Sequence, residues 1–134
     1  MSKLWVILFL AMGGAAGTLA RVGLTGWVNH LHGSPWPWGT FAVNALGCFL
    51  FGFIWSLADS RFDLGDAARL AILGGFCGAF TTFSTFAFDS HALADKHGLY
   101  WAASHILAQN VAGIALVFVG LWLGRVATGP GAAV

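Results

Sequence analysis

The chain has 134 residues, of which 58% are hydrophobic and only 8% are charged, and its mean hydropathy is +0.80. Soluble domains carry about a quarter charged residues, so a soluble protein is excluded, and a formal charge of +1 leaves no basic surplus to bind nucleic acid. The chain has too little polar surface to be disordered, and its two cysteines are too few for a disulfide scaffold. An integral membrane protein, surrounded by lipid, is therefore the remaining class.

Long apolar segments predict an all-α membrane protein with four spanning helices, because each span needs roughly 20 apolar residues. The predicted spans cover about residues 4–28, 38–58, 68–90 and 98–124. The stretch 29–38 is rich in turn-forming residues, and no helix is expected to cross it. Because the connections are short, the sequence predicts a single transmembrane domain over residues 1–134.

The first span also has features of a secretory signal peptide, since Lys3 precedes an apolar run and Ala15-Ala16-Gly17 resembles a cleavage site. The apolar character continues past Arg21 to Val28, however. We therefore expect the first span to be retained.

Glycine is abundant, with 19 residues, and three pairs repeat the spacing that lets helix backbones approach closely in lipid. These pairs are Gly13 and Gly17, Gly74 and Gly78, and Gly120 and Gly124. Most of them are expected to serve contacts within one subunit. Four short helices enclose little volume, so we expect a homo-oligomer, most simply a dimer.

Polar side chains inside the spans are functional candidates, because hydrocarbon makes them costly to bury. Most of them are hydrogen-bond donors, whereas Asp59 and Asp89 fall at span ends and the chain contains no glutamate. Such a donor-rich set favours an anion over a cation or a proton. The candidates are Arg21, Asn44, Thr81, Thr82, Ser84, Thr85, Ser104, His105, Gln109 and Asn110.

The third span carries the most informative segment. Three glycines between Gly74 and Gly78 weaken the helix, and the hydroxyl residues that follow can compete for its backbone bonds. A break at mid-membrane depth is tolerated where freed carbonyls line a cavity or bind an ion. Phe83 and Phe86 share a helix face. A glycine-rich packing helix, with its hydroxyls bonded to its own backbone, fits these residues equally well.

No catalytic set is evident. The chain has no supported Ser/His/Asp arrangement or phosphate-binding glycine loop, and His30 and His32 lack the neighbours of a metal site. We therefore do not expect an enzyme.

Three motifs occur in order along the chain: Gly13-Gly14-x-x-Gly17-Thr18-x-x-Arg21, Gly39-Thr40-Phe41-x-Val43-Asn44-x-x-Gly47, and Gly74-x-x-x-Gly78-x-x-Thr81-Thr82-Phe83-Ser84-Thr85-Phe86. With these motifs the chain resembles the Fluc/CrcB family of small fluoride channels along essentially its whole length.

The resemblance implies a dual-topology homodimer in the bacterial inner membrane, in which two antiparallel subunits form two fluoride pores. It implies a structural Na+ at the dimer interface, not transported, held by the main-chain carbonyls of Gly78 and Thr81 at the break in the third helix. Arg21 matches the family's arginine near the aqueous vestibule. The family's pore elements match Asn44, Phe83, Phe86, Ser84 and Thr85.

The fourth span departs from the family pattern. Ile114 stands where a serine facing the pore is expected, and Asn110, one turn earlier, is the expected substitute. No residue of this span is therefore assigned to the site.

The resemblance thus implies passive fluoride efflux that reduces fluoride toxicity. Amide and hydroxyl donors can replace part of the hydration shell of fluoride without a fixed charge that would trap the ion. One alternative is a membrane scaffold that transports nothing. The other is a small dual-topology exporter, a class that relies on a membrane-embedded glutamate, which this chain lacks.

Overall fold

The structure is a computed structural model that describes residues 3–60 and 65–129. Every regular element in those ranges is helical. The elements are α1 (Lys3–His32), α2 (Trp38–Ser60), α3 (Asp66–Arg69), a π-helical segment (Leu70–Cys77), α4 (Gly78–Phe80), α5 (Phe83–His97) and α6 (Leu99–Thr128). The domain predicted over residues 1–134 includes positions that lie outside the described residues.

Four stretches of the described chain are long and apolar enough to cross a membrane, which confirms the prediction of an all-α protein with four spans. They are Lys3–His32, Trp38–Asp59, Ala67–His97 and Leu99–Thr128. The third stretch combines most of α3 with the π-helical segment, α4 and α5.

The first helix is longer than the sequence predicts. It continues to His32, into the stretch 29–38 that is expected to lie outside a helix. Gly33 ends it with a left-handed backbone (φ +52°), and the Gly33 N–H donates to the Asn29 carbonyl at 3.3 Å. The polar residues before Gly33 therefore remain helical, because the helix stops where glycine permits the reversal.

Glycines allow the helices to pack backbone to backbone. A Cβ atom at Gly17 of α1 would collide with the carbonyl oxygen of Phe76 in the π-helical segment. A Cβ atom at Gly120 of α6 would likewise collide with the carbonyl oxygen of Phe49 in α2. These two glycine pairs thus serve contacts within one subunit, whereas Gly78 is exposed, and a Cβ atom there would meet only the Leu73 carbonyl oxygen, at an ordinary contact distance of 3.9 Å.

We expect Gly17→Ala to destabilise the protein, because the added methyl overlaps the Phe76 backbone. Overpacking of this kind costs about 1–3 kcal/mol. Gly23→Ala is the matched control in the same helix, since nothing lies within 4 Å of a Cβ atom there. Unfolding midpoints of the detergent-solubilised protein should fall for the first variant and not for the second; equal midpoints would contradict the packing role of Gly17.

Candidate functional site

The helical backbone is interrupted between α4 and α5. Thr81 (φ −82°, ψ 159°) and Thr82 (φ −149°, ψ 115°) are both extended. The Thr82 hydroxyl oxygen accepts the Thr85 N–H at 3.2 Å, so Thr82 is the N-cap of α5. The segment after the interruption is therefore a separate helix with its own capped N-terminus.

Asn44 of α2 satisfies the backbone of this interruption. Its Oδ1 accepts the Thr82 N–H at 2.8 Å, and its Nδ2 donates to the Thr82 carbonyl at 3.1 Å. One side-chain amide thus bonds both polar backbone groups of Thr82, including the N–H that a continuous helix would pair with the Gly78 carbonyl. Asn44 fixes the position of the interruption relative to α2.

The interruption also redirects the bonds of nearby carbonyls. In an α-helix the carbonyl of residue i accepts the N–H of residue i+4, so Gly78 and Thr81 would pair with Thr82 and Thr85. The N–H of Thr82 donates instead to Asn44, and the N–H of Thr85 donates to the Thr82 hydroxyl. The carbonyls of Gly78 and Thr81 are thus left without their helical donors.

A neighbouring carbonyl is bonded from the first helix. The Arg21 Nε donates to the Ala79 carbonyl at 3.1 Å, and the Arg21 side chain is half-buried. Arg21 thus joins α1 to the carbonyl side of the interruption, and it is not among the residues that line the adjacent cleft.

An open cleft of about 240 Å³ lies beside the interruption, large enough for a small ion with some of its water. No residue that the structure places in its wall carries a charge. Its lining residues are Asn44, Cys48, Thr81, Thr82, Phe83, Phe86, Gln109 and Asn110.

The two phenylalanines meet at the mouth of this cleft. The Phe83 and Phe86 ring centroids are 5.5 Å apart, with ring planes at 59°. The Phe83 ring is 78% exposed, whereas Phe86 is half-buried. Both rings therefore border the open space, and one of them presents most of its surface outward.

The remaining predicted pore hydroxyls, those of Ser84 and Thr85, are not among the residues that line the cleft. The Thr82 hydroxyl donates to Thr85 Oγ1 at 3.0 Å and lies 3.4 Å from Ser84 Oγ. Ser84 is exposed, and Thr85 is half-buried. The structure thus brings Asn44, Phe83 and Phe86 to one cleft with Thr81, and sets Ser84 and Thr85 in the first turn of α5. Their roles in a pore stay predictions.

The fourth span contributes residues that the sequence analysis did not assign. Gln109 is only 8% exposed, and its Oε1 lies 3.4 Å from the Asn44 Nδ2 donor. Asn110 also lines the cleft and donates to the Ile106 carbonyl at 2.7 Å. Ile114 is exposed and lies outside the lining. The sequence feature that could have identified Gln109 is its spacing from His105, since residues four apart lie on one helix face.

A carboxylate lies near the site, one turn beyond the phenylalanines. Asp89 is half-buried and accepts the Thr40 hydroxyl at 2.6 Å. Thr40 is 4% exposed, so this bond ties α2 to α5 above the cleft. The negative charge is thus already paired with a donor and stays outside the cleft lining.

Residues 8–121 match the family model described as CrcB-like protein, Camphor Resistance (CrcB). Over 119 residues, 88% of this chain and 94% of the relative, the sequence is 49% identical to a protein of Nitrosococcus oceani named fluoride-specific ion channel FluC. A protein of the same name from Solidesulfovibrio magneticus is 49% identical over 117 residues, 87% of this chain and 94% of the relative. Another, from Acidobacterium capsulatum, is 42% identical over 126 residues, 94% of each chain.

These relatives are named as ion channels, a class distinct from enzymes, which confirms the expectation that the chain is not an enzyme. Channel relatives and four helices of spanning length together indicate a multi-pass membrane protein. Because the family model and the relatives cover most of its length, the chain belongs to the CrcB family.

Proposed function

We propose that this chain forms a fluoride-selective channel in the bacterial inner membrane, through which fluoride leaves the cell passively. The observation that carries the proposal is the uncharged cleft where the Asn44 amide, the Gln109 amide and two phenyl rings meet beside a helix interruption. The relatives named as fluoride-specific channels, at up to 49% identity, support the choice of ion.

The chemistry of the cleft suits a small, strongly hydrated anion. Removing water from such an ion is expensive unless hydrogen-bond donors replace it. Amide N–H groups and the positive edges of Phe83 and Phe86 supply this replacement. Because none of the described residues that line the cleft carries a positive charge, the ion is not held too tightly to leave.

The working unit in this proposal is a dual-topology homodimer with two pores, and the helix interruption lies at mid-membrane depth. The cleft of one subunit is small and open, and the Phe83 ring beside it is 78% exposed. A second, antiparallel copy would cover this ring and close the pathway. Arg21, half-buried behind the interruption, would attract anions towards the vestibule.

A structural Na+ between the subunits is part of the same proposal. The carbonyls of Gly78 and Thr81, whose helical donors bond elsewhere, are the kind of oxygen ligand that a hard cation prefers. Gly78 is exposed and has no side chain that would keep an ion or a partner subunit away. When bound, Na+ would compensate the partial negative charge of these carbonyls, and it would not be transported.

Removal of Na+ is expected to lower the thermal stability of the detergent-solubilised protein. Replacing NaCl with the chloride of a large organic cation at equal ionic strength isolates the specific ion from general screening. The midpoint should fall by several degrees and recover when Na+ is restored. A midpoint that follows ionic strength alone would contradict a Na+ site.

Efflux from liposomes tests the function itself. Purified protein in liposomes loaded with fluoride should release it through the membrane when the electrical gradient is relieved, as read by a fluoride electrode. Protein-containing liposomes loaded with chloride should release no chloride, and protein-free liposomes loaded with fluoride should release no fluoride. Release of neither ion would favour a scaffold that transports nothing, and release that requires a proton gradient would favour an exporter.

A further inference from the structure

Polar side chains continue from the cleft into the interface between α5 and α6; the function proposed above uses Gln109 of this set, but not His105 or Ser90. His105 is fully buried, and Ser90 and Gln109 are 7% and 8% exposed. Burying three polar side chains together is costly unless each finds a partner. Their contacts form one unbranched row that runs from Asn44 to the Phe86 carbonyl.

The distances along this row are consistent with hydrogen bonds at every step. Gln109 Oε1 is 3.4 Å from Asn44 Nδ2, and Gln109 Nε2 is 3.4 Å from His105 Nε2. His105 Nδ1 is 2.9 Å from Ser90 Oγ, which donates to the Phe86 carbonyl at 2.8 Å. The two bonds of Gln109 are the longest, so they are the weakest links.

The Thr82 backbone sets the direction of the row at one end. A backbone N–H only donates and a carbonyl only accepts, so Asn44 must turn its oxygen to the Thr82 N–H and its NH2 to the Thr82 carbonyl. The second Asn44 proton then faces Gln109 Oε1. Gln109 is left to present its NH2 group to His105.

The Phe86 carbonyl sets the same direction from the other end. Because this carbonyl only accepts, the Ser90 hydroxyl proton is committed to it, and Ser90 Oγ must accept from His105 Nδ1. A neutral imidazole with its proton on Nδ1 has a free lone pair on Nε2, which is what the Gln109 NH2 group requires. Both backbone ends therefore demand the same tautomer of His105.

We infer that Gln109, His105 and Ser90 are positioning residues: they form a directed hydrogen-bond chain that fixes the orientation of the Asn44 and Gln109 amides at the cleft, and that chain requires neutral His105 with its proton on Nδ1. The inference rests on the proposed channel function in one respect, that these amides border the path of the anion.

A second proton on His105 would break the hydrogen-bond chain, whichever way the neighbouring side chains reorient. Nε2–H would face the Gln109 NH2 group, and a reversed Gln109 would present that group to the Asn44 NH2. Asn44 cannot reverse in turn, because the Thr82 backbone accepts only one orientation.

Among the described groups around His105, one is charged. The Trp36 and Phe86 rings lie at 5.1 and 5.3 Å between centroids, and Ser90 and Gln109 are neutral. Asp89 of α5 is the charged group whose field reaches the imidazole, and its carboxylate accepts the Thr40 hydroxyl of α2. Acidification that adds a second proton to His105 is expected to break the hydrogen-bond chain and so to lower fluoride flux. This loss of flux should disappear in a variant that lacks the imidazole.

The direct test reads the tautomer. Full-length protein labelled with ¹⁵N-histidine, in lipid at neutral pH, should show for His105 a protonated Nδ1 and an unprotonated Nε2. Because His32 Nδ1 also donates to a carbonyl, that of Val28 at 3.0 Å, His32 is expected to share this tautomer, and the signal of His105 is the one that vanishes in His105→Gln. A protonated Nε2 on His105, alone or in an imidazolium, would overturn the inference.

Flux then separates positioning from mere packing. His105→Gln keeps an acceptor near the Nε2 position, whereas His105→Asn keeps only a donor near Nδ1. Fluoride efflux should stay near the wild-type rate in the first variant and fall about tenfold in the second and in Gln109→Met, the cost of one buried hydrogen bond. Ser104→Ala is the matched control on α6, since the Ser104 hydroxyl donates to the Trp101 carbonyl and takes no part in the hydrogen-bond chain.

The outcomes separate this inference from the proposed function. Equal efflux in all these variants, in a wild type that conducts fluoride, would overturn the positioning role even if the tautomer is as expected. A wild type that releases no fluoride would overturn the proposed function, and the tautomer of His105 would still decide whether the directed chain exists.

Discussion

Replacing Asn44 with aspartate is expected to reduce fluoride efflux from liposomes at least about 100-fold. The carboxylate can still accept the Thr82 N–H, but its second oxygen takes the place of the NH2 group that faces the Thr82 carbonyl and Gln109 Oε1. It also brings a negative charge into an uncharged cleft. Two like charges about 4 Å apart repel by roughly 4 kcal/mol at an effective dielectric constant of about 20, and each 1.4 kcal/mol is about tenfold.

The control for this substitution is Asn29→Asp. Asn29 Oδ1 accepts the Gly39 N–H at 2.8 Å, a bond that an aspartate oxygen preserves, and Asn29 does not line the cleft. Its efflux should match that of the wild type. Wild-type efflux in a monodisperse Asn44→Asp protein would show that Asn44 only supports the backbone of Thr82.

The sequence predicts the number and class of the helices well, because the apolar length needed to cross a bilayer is visible without knowing any contact. It is less informative about where a helix ends. The residues from Asn29 to His32 are typical of a turn, yet they stay in α1, and the left-handed Gly33 ends the helix. Propensity is a weak guide where a single glycine decides the geometry.

The π-helical segment from Leu70 to Cys77 illustrates what the sequence does not reveal. Three nearby glycines predict a weakened helix, but they do not distinguish a kink from the wider winding of a π-helix. The winding accompanies the close approach of α1, where Gly75 would place a Cβ atom 2.9 Å from the Leu10 carbonyl. That approach is a tertiary contact, which local sequence does not encode.

The candidate site was predictable to the extent that its chemistry is unusual in lipid. Asn44 and the phenylalanines Phe83 and Phe86 are recognisable as donors and ring edges inside apolar spans, and the structure gathers them at one cleft. Gln109 and His105 were visible as polar residues on one face, but the side to which that face turns depends on how Gly120 packs α6 against α2. A single sequence does not give this rotation.

Replacing Phe83 or Phe86 with isoleucine is expected to reduce fluoride efflux about tenfold while leaving the assembly intact. Both rings border the cleft, with centroids 5.5 Å apart and planes at 59°. Isoleucine keeps a large apolar side chain but lacks the positive ring edge, whose interactions are worth about 0.5–1.5 kcal/mol each. Efflux measured by fluoride electrode should fall, and the elution volume on size-exclusion chromatography should stay constant.

Phe88→Ile separates the loss of a ring edge at the cleft from the loss of any phenyl ring on α5. Phe88 lies on the same helix and is 69% exposed, but it does not line the cleft, so its variant should conduct as the wild type does. Phe83 is also exposed within the subunit, at 78%, so Phe83→Ile and Phe88→Ile remove rings of similar exposure. Equal efflux from all three variants would mean that the rings only pack, and anion recognition would then rest on the amides of Asn44 and Gln109.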